Sequence, residues 1–353
     1  MLPILALATC VTPGACRRGP AQQASSPNIY FTRVPPADPG GPDTVDMIEG
    51  RVIGARPGQR IVLFAKSEIW WVQPADANPF TEVQPDSTWK SSTHLGTEYA
   101  AALVDPGYRP PVTSERLPDI GGGVSAVARV DGGQPRPVNH KTINFSGYEW
   151  EVRSASSNRG GTDNDYDAGN AWTDSSGALH LRITRKSGKW ACAEVNLTRS
   201  LGYGLYRFVV HDTSNLEPAA VFTMFTWAGV AQSREMDIEI SQWGDPSNQN
   251  AQYVVQPYYI PANVERFTVP GGMLTCSFRW QPGNVIFSTA RGVERALPGQ
   301  ISRSGLVSQH AFTSGVPASG GESVHIDLYV YANPNHPLRK EAEVVVDKFE
   351  FLP

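Results

Sequence analysis

Residues 233–244 read SREMDIEISQWG, and the alternation inside this run decides how the chain folds. Glu235, Asp237 and Glu239 stand at i, i+2 and i+4, with Met236, Ile238 and Ile240 between and after them. Successive side chains of a β-strand point to opposite faces, so the three carboxylates share one face and the three apolar residues the other. Acidic residues are depleted in strands, and like charges side by side raise one another's pKa. Given average residue usage, three acids at these fixed places arise at about 2 in 10,000 positions. Such a row persists where a shifted pKa is the purpose. Two plainer readings stand beside it, an edge strand with solvated acids and a structural metal site.

Outward from this strand the texture stays the same. ALHLRITRK, GLYRFVVHD, AAVFTMFTWA, AQYVVQPYY, LTCSFRWQ, VIFSTA, SVHIDLYVYA and AEVVVDKFEFL are runs of six to eleven residues, rich in β-branched and aromatic residues and parted by turn residues. Runs of that length predict an antiparallel double-sheet domain over residues 141–353. No helical period of convincing length and no internal repeat is visible. Upstream, GRVIGARPGQRIVLFAKSEIWWVQP and the residues to about 135 predict a small β-sandwich accessory domain over 45–135. Residues 1–44 read as a signal-like leader followed by a Pro/Gly/Ser linker. The fold class is therefore all-β.

Composition narrows the function. With 33 Gly, 29 Pro and 9 Trp but only 18% charged residues, the chain suits a turn-rich β protein. A net charge of −4 with no basic stripe argues against nucleic acid, and no apolar run approaches the ~20 residues of a membrane helix. MLPILALATC lacks a basic n-region, yet its apolar run predicts export to a secreted, periplasmic or outer-surface location, with Cys10 as a lipid-attachment candidate. Cys192 and Cys276 are the cysteines of the body and fit either one disulfide or two buried thiols. The seven histidines are scattered without metal-ligand spacing. Phosphate-loop and nucleophile-elbow motifs are missing.

Several of these runs together resemble a known family. Glu235-Met236-Asp237-Ile238-Glu239 fits the E-hydrophobic-D-hydrophobic-E signature of glycoside hydrolase family 16, the laminarinase and lichenase group of β-jelly-roll enzymes. The flanking runs follow the family's order: LGYGLYRFVV (201–210), VFTMFTWAG (221–229), FRWQPGNVIFS (278–288), HIDLYVYANP (325–334) and VVVDKFEF (344–351). The resemblance implies a jelly-roll sandwich with a concave catalytic face. It also implies a retaining endo-acting hydrolase of β-1,3- or β-1,4-linked polysaccharide. Glu235 would be the nucleophile, Glu239 the general acid/base, and Asp237 would tune both. Retaining enzymes hold the two working carboxyls about 5–5.5 Å apart, whereas Cα atoms four residues apart on a strand lie about 13 Å apart. Both long Glu side chains must lean inward to close that gap.

The resemblance further implies substrate contacts at Glu194 and Gln256, and at Asp327 and Tyr329, which stand where the family usually has Asn and Trp. Phe225 and Trp227 share a face of the strand before the signature, and sugar rings pack on such aromatics. Arg234 faces away from Glu235 and is expected to pair with an acid beneath the sheet. In GGTDNDYDAGNAW (160–172), Asp163, Asp165 and Asp167 alternate like the start of a calcium loop. Ala168 displaces the required Gly, however, and Asp174 stands where Glu is needed. A polar cleft loop is the favoured reading, with Asn170 and Trp172 toward sugar. No cofactor is expected, polysaccharide is the expected partner, and the chain is expected to be monomeric. A non-catalytic glycan-binding protein and a wall-glycan transglycosylase are the alternatives on the same scaffold. Trp70, Trp71 and Trp89 in the first domain fit either a glycan platform or core packing.

Overall fold

The structure, a computed structural model, describes residues 26–38, 44–73, 79–134, 141–162, 164–228 and 234–353. The leader with Cys10 and Cys16 and the residue Asp163 lie outside this set. Among the described residues no helix is long and apolar enough to cross a membrane.

The first unit contains β1 (Asn28–Arg33), β2 (Val45–Ile53), β3 (Arg60–Ser67), β4 (Ile69–Gln73), β5 (Thr81–Glu82), β6 (Thr88–His94), β7 (Glu98–Val104), β8 (Thr113–Ser114) and β9 (Val124–Asp131). β1, β2 and β6 make one sheet, and the other six strands a second. Between them Ile48, Val52 and Trp89 pack on Ile61, Leu63, Tyr99 and Leu103. Val62, Phe64 and Trp70 form another cluster with Ala100, Ala102 and Val104, on the opposite face of the same strands. Both faces of β3 and β7 are thus covered, which is why residues 61–65 and 99–104 within them are continuously apolar. β1 corrects the linker reading, since residues 28–33 pair with β2. Trp70 and Trp89 are buried in these cores and offer no open platform.

The second unit continues with β10 (Lys141–Phe145), β11 (Tyr148–Val152), β12 (Ala155–Ser157), β13 (Asn164–Tyr166), β14 (Ala171–Thr173), β15 (Leu179–Lys186), β16 (Lys189–Leu197) and β17 (Gly204–Val210). It closes with β18 (Ala220–Trp227), β19 (Glu235–Ile240), β20 (Ala251–Val255), β21 (Val264–Phe267), β22 (Leu274–Gln281), β23 (Asn284–Arg291), β24 (Leu306–Phe312), β25 (Ser323–Val330) and β26 (Ala342–Leu352). Pairing resolves fifteen of these into two sheets, with β12 on β13 and β13 on the near end of β16. The front sheet runs β10-β11-β16-β25-β18-β19-β20-β21. The back sheet runs β14-β15-β26-β17-β22-β23-β24. The chain is an all-β jelly-roll sandwich, with Trp150, Phe208, Phe222, Met224, Tyr253, Phe278 and Phe349 filling the space between the sheets. Met236, Ile238 and Ile240 of β19 join that core. Burying each such side chain stabilises the fold by about 1.5–3 kcal/mol. Their burial turns the acids of the same strand to the other face.

Candidate active site

Directly opposed residues of an antiparallel pair share a face, so the register of the front sheet lines up rows across the acid face. One row is Gln252, Glu239, Thr223, Asp327 and Glu194. The next is Val254, Asp237, Phe225 and His325, and the third Glu235, Trp227 and Ser323. Five carboxyls therefore gather on one face of one sheet.

Each acid has its own surroundings. The Gln252 side chain donates to Glu239, and Trp243 hydrogen-bonds the same carboxyl. Burial nevertheless holds the Glu239 carboxyl above the usual range, with the Glu235 charge adding, against Gln252 and the Arg159 guanidinium. Asp237 is 1% exposed. Its Oδ2 accepts from Gln256 Nε2 at 3.0 Å, and its side chain hydrogen-bonds Glu235. Burial, then the charges of Glu235 and Glu239, push Asp237 well up. Two carboxyls share a hydrogen bond only when one carries a proton, so Asp237 is the neutral donor and Glu235 the acceptor.

The far end of the face is closed by arginines from the segment before β13. Arg153 Nη1 lies 2.5 Å from Glu194 Oε2, and Arg159 Nε lies 3.2 Å from Asp327 Oδ2. Tyr166 donates to the same Asp327 oxygen at 3.1 Å. His325 Nδ1 meets Glu194 Oε1 at 2.7 Å, and its ring stacks on Phe225 with centroids 4.7 Å apart. The Arg159 guanidinium lies over the rings of Phe225 and Tyr329, at 5.1 and 4.9 Å. Burial alone would raise Glu194, but Arg153, His325 and Arg159 hold it well below its usual value. Asp327 is pushed well up by burial and by the Glu194 charge, which outweigh Arg159, Arg153 and the Tyr166 bond. The Arg153 and Arg159 guanidiniums thus stand against the carboxyls of Glu194 and Asp327. Such a balance is what burial of charge demands.

The structure brings together Glu235, Asp237, Glu239, Phe225, Trp227, Glu194, Gln256, Asp327 and Tyr329 on or beside this face. Trp227 is half-buried, directly opposite Glu235, and edge-on to His325 at 6.0 Å. Gln256 is half-buried, and its backbone N–H donates to the Glu235 carbonyl at 3.1 Å. Phe225, Glu194, Asp327 and Tyr329 are buried beneath Arg153, Arg159 and their neighbours, so they shape the site from below and offer sugar no open surface. Two expected contacts fall elsewhere. Trp172 stacks on His180 at 4.8 Å in the back sheet. The Asn170 side chain donates to Thr184 Oγ1 and the Ala191 carbonyl, tying its turn to β15 and β16. The loop departs from the cleft there because Asp167 caps the 168–170 turn and pairs with Lys186. Arg234 also differs from expectation, since it donates to the Gly320 carbonyl at 2.6 Å and not to an acid.

Sequence reasoning missed Gln252, Trp243, Arg153, Arg159, Tyr166 and His325. Gln252 and His325 were within reach, because they share parity with Gln256 and Asp327 on their own strands. Arg159 had no local signal, since it sits in a short turn that only the tertiary fold carries to the acids. Cys192 and Cys276 are both buried free thiols, and burial pushes the Cys276 thiol up to about 12. Among the described residues no group of three or more His, Cys, Asp or Glu is arranged to hold a metal ion.

No family model and no curated protein sequence matches the chain. Solved structures do. A Bacillus licheniformis β-glucanase is 17% identical, with a TM-score of 0.45, over 62% of this chain and 100% of that one. A prokaryotic β-1,3-1,4-glucanase (lichenase) from a mouse hindgut metagenome is 18% identical, with a TM-score of 0.44, over 60% and 98%. A Mycobacterium marinum β-1,3-glucanase is 15% identical, with a TM-score of 0.44, over 60% and 93%.

Proposed function

We propose that this chain is a glycoside hydrolase of the family 16 type, an exported retaining endo-β-glycosidase acting on β-1,3- or β-1,4-linked polysaccharide. The observation that carries the reading is the division of labour along β19. Burial raises the Glu239 carboxyl, which Gln252 holds by a hydrogen bond, while Glu235 shares a hydrogen bond with the more strongly raised Asp237. Carboxyls whose surroundings push their pKa values apart are what acid and nucleophile roles require.

In the first step the Glu235 carboxylate attacks the anomeric carbon as Glu239 gives its proton to the departing glycosidic oxygen. The carbon–oxygen bond to the leaving sugar breaks and a glycosyl ester to Glu235 forms. Glu239, now a carboxylate, takes a proton from water, and the water oxygen displaces Glu235 from the same carbon. Asp237 keeps its proton throughout and stabilises Glu235 as it leaves. Gln252 and Trp243 orient Glu239, and Trp227 offers a sugar ring a flat apolar face beside Glu235. The motif run and its flanking strands support the substrate class, and the N-terminal apolar run supports export, with Cys10 as the lipid-attachment candidate.

The test is Glu235→Gln assayed for reducing ends on laminarin, mixed-linkage glucan, agarose, carrageenan and xyloglucan. The wild type should cleave at least one, and the variant should lose about 10³-fold or more of that rate while keeping its melting temperature. Cleavage by the variant at the wild-type rate would sink the assignment. Added oligosaccharide acceptors separate hydrolysis from transfer in the same assay.

A further inference from the structure

The first β unit touches the second at the segment that carries the two arginines. Thr44, just before β2, forms an isolated bridge with Ser157 of β12. Arg153 Nη2 donates to Thr44 Oγ1 at 3.1 Å, while its Nη1 holds Glu194. His94, the last residue of β6, brings Nε2 to 3.1 Å from Asn158 Oδ1. That histidine is itself anchored, since its backbone N–H and its Nδ1 both lie 3.0 Å from Gln73 Oε1. All three contacts fall on residues 153–158. The next residue is Arg159, whose backbone N–H rests on Ser157 Oγ at 3.1 Å and whose side chain reaches Asp327.

We propose that the N-terminal β unit is a positioning element of the acid face, holding residues 153–159 so that Arg153 and Arg159 stand against Glu194 and Asp327. This deepens the hydrolase reading and rests on it for its catalytic consequence. The chemistry is direct. Each guanidinium belongs to a turn-rich segment that spends only three residues, those of β12, in a strand. A hydrogen bond with a charged partner is among the stronger kinds, so the Thr44 hydroxyl helps to orient Arg153. Freeing the segment would uncover Phe225, Asp327 and Glu194 and remove positive charge from beside Glu239. The groups that face Glu239 are Glu235 and Asp237 on its own strand, Gln252 on β20, Thr223 on β18, Asp327 on β25, Trp243 and Arg159. Arg159 is the cation among them, and its field favours the ionised form of Glu239.

The experiment uses the full chain with Thr44→Val and His94→Ala combined, neither of which touches the acid face. Three readouts are taken: hydrogen exchange of the 153–162 peptides, kcat and KM on a polysaccharide the wild type cleaves, and the alkaline limb of kcat/KM. The expected result is faster exchange over 153–162, a kcat about tenfold lower or more with KM little changed, and an alkaline limb displaced to higher pH. His94→Gln alone, whose amide reaches the place of Nε2, should keep most of the wild-type rate. Unchanged exchange overturns the proposal, and so does faster exchange with kcat and the alkaline limb both unmoved. A wild type inert on every polysaccharide would instead refute the hydrolase reading, and exchange alone would then decide the positioning role.

Discussion

Asp237 is the residue on which the acid face turns. Buried and well above its usual pKa, it holds a proton that the unfolded chain releases above about pH 4. Its stabilising contribution is therefore complete below about pH 4 and is lost as pH rises toward the raised native value. Asp237→Asn, which keeps an N–H toward Glu235 and cannot ionise, should flatten the fall of melting temperature between pH 5 and 8, as read by calorimetry. Equal slopes for variant and wild type would show that Asp237 is already ionised in the native protein. Glu239 follows the same sign in catalysis. In the proposed mechanism its proton goes to the leaving oxygen, so kcat/KM should fall as pH rises through its raised pKa. A rate that climbs steadily to pH 9 would contradict its role as acid.

The turn after β19 shows how an element aims a side chain. Trp243 has φ +47, a conformation that costs an ordinary residue about 1–3 kcal/mol, and it hydrogen-bonds Glu239. Gly244 follows at φ +75 and lies against Asn333, where an added Cβ would fall 2.3 Å from the Asn333 Cβ. Its amide donates to the Pro218 carbonyl at 2.7 Å. Gly244→Ala should therefore destabilise by about 2 kcal/mol or more and lower kcat by releasing Trp243, measurable by urea melts and turnover. The QWG ending of the opening run acquires its meaning here, as the clamp on the acid. On the other side of the strand, Ile238 is fully buried between the sheets. Ile238→Ala should cost about 2–5 kcal/mol in the same urea melts.

At the scale of the whole molecule, three buried carboxyls with raised pKa, Asp237, Glu239 and Asp327, act together. Each proton held natively and released on unfolding removes about 1.4 kcal/mol of stability per pH unit while the difference lasts. Global stability should thus decline from about pH 5 upward, the reverse of a protein held by surface carboxylates. A stability maximum above pH 8 would be incompatible with this face. The two β units meet at the segment that completes the face, so a change in the first unit should be read in the chemistry of the second.

Much of this was legible in residues 233–244 alone. Strict alternation sends acids to one face and apolar residues to the other because the strand period is two, and that follows from backbone geometry without any neighbour. The short β-branched runs parted by turn residues determined an all-β double sheet in the same local way. What lies across from the acids is another matter. Gln252 and Thr223 come to stand beside Glu239, and Asp327 one strand further along, only through pairing register, and Arg153 and Arg159 reach the face only through a turn folded over β16 and β25. Trp172, with a composition suited to a cleft, went to the back sheet because β14 pairs with β15. Local sequence sets which way a side chain points along its own strand. Electrostatic partnership depends on distances across strands, and only the closed tertiary structure determines those.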